Sequence, residues 1–283
     1  MCGIAGLVGS GAADHVDRVA AMVEALHHRG PDDHGLAVFD DAVLGTARLS
    51  VIDPDGGHQP LLGAEGSTAL VCNGEIYGHR RIRERFAGYP FRSGSDCEVV
   101  LPLYAQHGPD LLAHLPGTFA LGLWDDRTGT LLLARDRFGE RPLYFAVTPD
   151  GLLLFASESR ALFASGLIDA SPDDEMVAQM LRQGYVPSGR SVWGGIRSLG
   201  HAERLLRGPD GVCRIERWWS PPPVRDVMSD DEAAEWLRGE LDRSVQDQLE
   251  ADVPIGAFLS GGVDSSTIAA LAARHHPDLH AFT

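Results

Sequence analysis

Cysteine is the second residue of the chain, directly after Met1 and ahead of the apolar run Gly3-Ile4-Ala5-Gly6-Leu7-Val8. Loss of Met1 would place a thiol and a free α-amine on one residue. Such an amine titrates near roughly 7.7–8.0, so much of it is neutral near pH 7. It could then accept the thiol proton, directly or through a water, which is the N-terminal nucleophile arrangement. The competing reading is an incidental thiol on a frayed tail. The strand-like run behind Cys2 weighs against that reading, because it would pin the terminus into a sheet.

Other residue types suit parts of the same chemistry. Asn73-Gly74 lies between apolar stretches and reads first as the turn of a hairpin spanning residues 69–78. The same pair offers a side-chain amide and a backbone N–H, two donors of the kind that form an oxyanion hole. Arg48 is either a strand residue with an ion-pair partner or a fork for an α-carboxylate. Glu75 and Asp96 could meet an α-ammonium, although Asp96 also suits the first turn of a helix for its charge alone. Ser260-Gly261-Gly262-Val263-Asp264-Ser265-Ser266 follows an apolar strand and opens a helix. Backbone amides and hydroxyls there converge on an anion at the helix N-terminus. It is not a Walker A loop, since the lysine of that motif is missing. His27, His28 and His34 are better explained by a helix end and a sharp turn than by a metal, because adjacent histidines do not share a helix face.

The elements that must hold these residues can be read from periodicity. Residues 3–8 form a short buried strand, and residues 13–31 a helix with Val16, Val19, Val23 and Leu26 on one face, stopped by Gly30-Pro31. A helix over 95–108 opens with a capping box of Ser95 and Glu98. Residues 117–136 form a hairpin around Asp125–Gly129, and 142–147 and 152–158 add two strands. From Ser188 the composition shifts to Gly, Arg and Pro, which marks 188–228 as a linker. Beyond it come a helix with Ala234, Leu237, Leu241, Val245 and Leu249 on one face, a buried strand at 253–259, a helix after the Ser-Gly turn, and the start of another strand. Strand, helix, strand in that order means a parallel α/β sheet. A single such unit cannot cover both faces of its sheet, so this second domain reads as incomplete.

The 283 residues carry a net charge of −16, and all 24 basic residues are arginine. An acidic chain without a basic cluster argues against nucleic acid or an anionic membrane as partner. No apolar run is long enough to span a bilayer. Four scattered cysteines, Cys2, Cys72, Cys97 and Cys213, give neither a zinc site nor a disulfide framework and point to a reducing cytoplasm.

Taken together, "MCGIAG", "HRGPDDHG", "ARLSVID", "QPL", "NGEIY", "GSDCEV", "GTFALGLWD", "ARDRFGERPLYF", "FASESRAL" and "FLSGGVDSS" stand in the order found in glutamine-hydrolysing asparagine synthetases, and the chain resembles that family over nearly its whole length. The resemblance implies a class II glutamine amidotransferase domain at 2–187, an α+β N-terminal-nucleophile αββα sandwich. After the linker, 229–283 would begin an α/β Rossmann-like ATP-pyrophosphatase domain of the adenine nucleotide alpha hydrolase type. Cys2 would be the glutaminase nucleophile, with Asn73 and Gly74 as oxyanion hole. Arg48 would hold the glutamine α-carboxylate in a pocket lined by Leu49, Ser50, Val51 and Ile52. Glu75 and Asp96 would take the α-ammonium. Leu259, Ser260, Gly261, Gly262, Asp264 and Ser265 would grip ATP, normally with Mg2+ on a metal site that the sequence does not identify. The implied reaction passes ammonia from glutamine to an aspartate activated as an acyl-adenylate. The alternatives are amidation of another carboxylate, or a truncated chain with glutaminase or binding activity only. Relatives are often dimers, so a homodimer is part of the expectation. The chain departs from the family at Gly200-His201-Ala202, where a Pro-Gly turn is common, and at Arg141 and Arg160, where lysine is frequent.

Overall fold

A computed structural model describes residues 1–169, 171–223 and 228–283. The chain divides into two units, Met1–Ser220 and Pro221–Thr283.

In the first unit, two sheets lie face to face. The first sheet runs β10-β8-β9-β1-β3-β2 and the second β12-β11-β7-β6-β5-β4. Their strands are β1 (Gly3–Val8), β2 (Asp33–Phe39), β3 (Ala42–Arg48), β4 (Leu61–Leu62), β5 (Thr68–Glu75), β6 (Thr118–Asp125), β7 (Thr130–Arg135), β8 (Tyr144–Val147), β9 (Leu153–Ala156), β10 (Ile196–Ser198), β11 (Glu203–Arg207) and β12 (Cys213–Arg217). The alternation of side chains along a strand explains why every residue of β1 is buried. Ile4 and Val8 face the second sheet, in a core shared with Leu44, Val71, Trp124, Leu133 and Phe155. Ala5 and Leu7 face the other way, against Val19, Met22 and Leu26 of the helical layer. That layer contains α1 (Val16–Glu24) and α4 (Ser159–Ala164). On the far side of the second sheet, Leu70, Cys72, Leu121 and Leu123 pack with residues of α2 (His79–Arg85) and α3 (Val100–His107). The result is the expected αββα sandwich. The burial supports it strongly, since each fully buried Leu, Ile or Phe contributes roughly 1.5–3 kcal/mol.

Three expectations fail locally. Asn73-Gly74 is no turn: both residues lie inside β5, opposite Ala120 and Phe119 of β6. Pairing along eight residues with a buried neighbour outweighs the local turn preference. Gly74 answers a different need there, because a Cβ would stand 2.3 Å from the Thr118 carbonyl oxygen. The capping box at Ser95 is also absent, as its side chain makes no cap bond. Glu98 turns instead to the Arg92 and Ser93 amides at 2.7 and 2.9 Å and to Arg83 at 3.3 Å. Finally, much of the expected linker is sheet. β10, β11 and β12 lie within 196–217 and extend both sheets of the first unit, while 224–227 lie outside the described residues. The Gly and Pro residues of this stretch fall outside Ile196–Ser198, Glu203–Arg207 and Cys213–Arg217, and pairing with distant partners makes those segments strands.

The second unit begins at Pro221. After α5 (Asp174–Gln183) of the first unit come α6 (Asp230–Asp247), β13 (Gly256–Phe258), α7 (Val263–His275) and β14 (His280–Phe282). A capping box of Ser229 and Glu232 starts α6. Its Val245 packs with Leu271 and Ala272 of α7. β13 and β14 pair in parallel, as the order of elements predicts. The strand expected to be buried is not, since Phe258 is 87% exposed. Gly256 and Phe258 of β13 and every residue of β14 are exposed.

Candidate active site

The register of β1 on β3 positions Cys2. Gly3 pairs with Ala47, so Cys2 meets the residues just past the end of β3. The Leu49 N–H donates to Cys2 Sγ at 3.4 Å, and the thiol lies 3.6 Å from the Leu49 carbonyl oxygen. Arg29 Nε donates to the Cys2 carbonyl at 3.0 Å, and Arg29 Nη1 is held by Glu158 at 2.8 Å. The terminus is therefore pinned. Burial pushes the Cys2 thiol above its ordinary value, against the Leu49 hydrogen bond that favours the thiolate. At the Met1 amine, burial lowers the pKa, and the Arg29 and Arg141 guanidinium groups act in the same direction. Both follow from the higher energy of charge in a less polar or like-charged setting.

Cys2 opens on a cavity of about 130 Å³ lined also by Arg48, Leu49, Val51, Ile52, Asn73, Gly74, Glu75 and Asp96. That volume is several times the roughly 30 Å³ share of one water molecule. Nearly all of the residues expected at a glutamine site thus meet in one place. Ser50 is the exception: it is not part of the lining, and its N–H donates to Asp32 at 2.8 Å. Arg48 is 3% exposed, and its guanidinium donates to the carbonyls of Ile52, Asp53 and Pro54 at 2.9, 2.7 and 3.1 Å. It folds the 52–54 turn round the cavity.

The β5 wall presents an unpaired donor and, just past its end, a capping carboxylate. Asn73 is 1% exposed, yet its Nδ2 has no hydrogen-bond partner. An unsatisfied buried donor beside a nucleophile is what an oxyanion site requires. Next, Asp96 Oδ2 accepts the Ile76 N–H at 2.7 Å. Burial raises the Asp96 carboxyl above its usual value, partly countered by that bond and by His79.

Sequence reasoning missed five lining residues as site residues: Met1, Gln59, Ser95, Cys97 and Arg141. Arg141 is brought in by a loop built on Asp136, whose carboxylate accepts the Phe119, Phe138, Glu140 and Arg141 amides. Arg141 Nε then reaches Thr118 Oγ1 at 3.2 Å and Nη1 lies 2.7 Å from Met1 Sδ. The "RDRFGER" run signals a turn but not its destination. Cys97 is fully buried against Cys72, and that thiol contact, with burial, pushes its pKa well up.

In the second unit, Leu259 to Gly262 link β13 to α7. The Leu259 N–H donates to the Phe282 carbonyl at 2.7 Å. Ser260 N–H donates to Ser265 Oγ at 3.2 Å, and the two hydroxyl oxygens are 2.9 Å apart. Gly261 has φ of 80°, a left-handed conformation open to glycine. Asp264 stands in the first turn of α7.

The glutamine amidotransferase domain family model matches residues 1–219. An asparagine synthase model matches residues 236–283. Asparagine synthetase [glutamine-hydrolyzing] 2 of Arabidopsis thaliana is 36% identical over 278 residues, covering 97% of this chain and 43% of that protein. Asparagine synthetase B of Escherichia coli (strain K12) is 34% identical over 281 residues, covering 97% and 45%. The chain spans less than half the length of these curated relatives. Among solved structures, glutamine phosphoribosylpyrophosphate amidotransferase from B. subtilis superposes with a TM-score of 0.58 at 19% identity, covering 99% of this chain and 65% of that one. This last is a likeness of fold. With its N-terminal thiol, its αββα layers and a family match over 219 residues, the chain belongs to the glutamine amidotransferase domain family.

Proposed function

We propose that this chain hydrolyses glutamine at Cys2, and that the ammonia serves the ATP-dependent amidation of aspartate to asparagine. The observation that carries the first half is the shared cavity, which Cys2 lines together with Asn73, whose buried side-chain amide nitrogen is unpartnered. With Met1 removed, the Cys2 α-amine takes the thiol proton. The thiolate attacks the side-chain carbonyl carbon of glutamine, and the oxygen becomes an oxyanion held by Asn73 Nδ2 and the Gly74 N–H. The protonated amine returns its proton to the departing nitrogen, ammonia leaves, and a thioester remains. Water then attacks the thioester, releasing glutamate and restoring the thiol. Arg48 and Asp96, with Glu75, take the two charged ends of the amino acid. Bound ammonium draws the raised Asp96 carboxyl back toward ionisation.

The second half rests on the asparagine synthase match and on the names of the relatives, which also favour aspartate over another carboxylate. The Leu259–Ser265 turn at the start of α7 would hold ATP phosphates. Among the described residues no group of three or more His, Cys, Asp or Glu side chains forms a metal site. Mg2+, accompanying ATP, would take one or two carboxylates together with the phosphates and waters. Among the described residues no helix is long and apolar enough to cross a membrane. A reducing cytoplasm, which keeps Cys2 a free thiol, and a homodimer complete the proposal.

The test is glutamate release from glutamine by the purified chain and by Cys2→Ala, with intact mass reporting Met1 removal. Activity that disappears in Cys2→Ala supports the reading. Equal activity in both refutes it.

A further inference from the structure

The β5 edge that faces the cavity has no strand beside it, and something else must hold it. β4 pairs with β5 only through Leu61↔Leu70 and Leu62↔Ala69. Continued by two residues, that register would set Pro60 opposite Val71 and Gln59 opposite Cys72. The backbone pairing ends at Leu61↔Leu70. At Cys72 a side chain takes over. Gln59 Oε1 accepts the Cys72 N–H at 2.7 Å, and Gln59 Nε2 donates to the Cys72 carbonyl at 3.1 Å. This reciprocal pair copies what a neighbouring strand would supply.

The consequence falls on the next residues. N–H groups alternate in direction along a strand. The Cys72 N–H points to the Gln59 edge, away from β6, so the Gly74 N–H points to that edge too, as does the Ile76 N–H just past the strand. The Cys72 amide is capped by Gln59 and the Ile76 amide by Asp96. Gly74 lies between the two caps, and Gly74, Gln59 and Asp96 all line the cavity. Gln59 is itself fixed from behind. It is 6% exposed, and a Cβ on Gly35 of β2 would lie 2.3 Å from its carbonyl oxygen.

We propose that Gln59 is a positioning residue for glutamine hydrolysis: its carboxamide replaces the missing strand at Cys72 and keeps the Asn73 and Gly74 donors turned into the cavity. This rests on the glutaminase reading above. Gln59 touches no reacting atom and acts through β5. A displacement of about 1 Å in such donors is enough for a loss of order 100-fold.

Gln59→Met keeps the length of the side chain and removes both hydrogen bonds, while Gln59→Ala removes the packing as well. Three quantities are measured on each folded variant: kcat and KM for glutamine, affinity for the product glutamate, and affinity for the aldehyde analogue of glutamine. The Cys2 thiol adds to the aldehyde carbon and its proton goes to the carbonyl oxygen, so that oxygen sits where the oxyanion would. The expectation for Gln59→Met is a kcat lower by about 10- to 100-fold, a parallel weakening of the aldehyde, and glutamate affinity within about twofold. A general structural defect would weaken glutamate and aldehyde alike, and that result overturns the proposal. So does a kcat within about twofold of the unsubstituted chain. Turnover that Cys2→Ala abolishes but Gln59→Met leaves intact sinks this inference alone. An unsubstituted chain without turnover sinks the glutaminase reading and this inference with it.

Discussion

Replacing Asn73 by alanine should separate activity from stability, and with opposite signs. In the folded chain the Asn73 Nδ2 is buried and without a partner. A buried donor left unsatisfied is unfavourable by roughly 1–3 kcal/mol. Alanine keeps the Cβ and removes that donor, at the expense of a small void in the cavity wall. Stability should therefore be unchanged or higher by up to about 2 kcal/mol. For a folding unit of this size each kcal/mol is about 2–4 °C in Tm. In the proposed reaction the same nitrogen meets the developing oxyanion, and loss of one such donor lowers kcat by about 10²–10³, or ~3–4 kcal/mol. The assays are glutamate release at saturating glutamine and scanning calorimetry on the same preparation. A kcat within threefold of the unsubstituted chain would refute the oxyanion role. A Tm lower by many degrees would refute the claim that this amide is held ready at the expense of the fold.

Asp96→Asn tests the buried carboxyl. Its pKa is raised in the folded chain from an ordinary 3.8, so the stability linked to its proton is complete below the unfolded value and is lost as pH rises through the folded one. Asparagine, which never ionises, should raise Tm at pH 7–8 and lose that advantage as the pH approaches 4. The glutamine KM should rise at the same time. A Tm difference that does not vary with pH would contradict this. Gly74→Ala should destabilise the chain by about 1–3 kcal/mol, because its Cβ would stand 2.3 Å from the Thr118 carbonyl oxygen. A denaturant midpoint equal to that of the unsubstituted chain would show that β6 yields more easily than its buried position implies.

Local patterns made several elements legible. The apolar run after Cys2, the hairpin from Thr118 to Arg135, and the strand-turn-helix from Gly256 to His275 announce themselves by period and by turn residues. Asn73-Gly74 misled, because its composition is that of a turn while its partners, Ala120 and Phe119, lie more than forty residues away. Residues 196–217 misled for the same reason: "ERLLR" becomes a strand by pairing with β7. Gln59 stood out only as the first residue of "QPL", with no role attached, since a single glutamine acquires its part only where the backbone of Cys72 comes to meet it.

What the sequence by itself determined is the inventory of chemistry and its order: a thiol one residue from the start, an amide-glycine pair, an arginine, two carboxylates, and a Ser-Gly turn leading into a helix. Residue types and local periodicity carry that much, because pKa ranges, donors and acceptors belong to side chains, and helix or strand periods to short windows. The tertiary structure alone decided the distances and the charge states. Cys2 meets the Leu49 amide across 47 positions only through the register of β1 on β3. Asp96 and Cys2 have raised pKa values only because the two sheets and their helices remove water from them. Burial and register are properties of the packed whole, and no local window contains them.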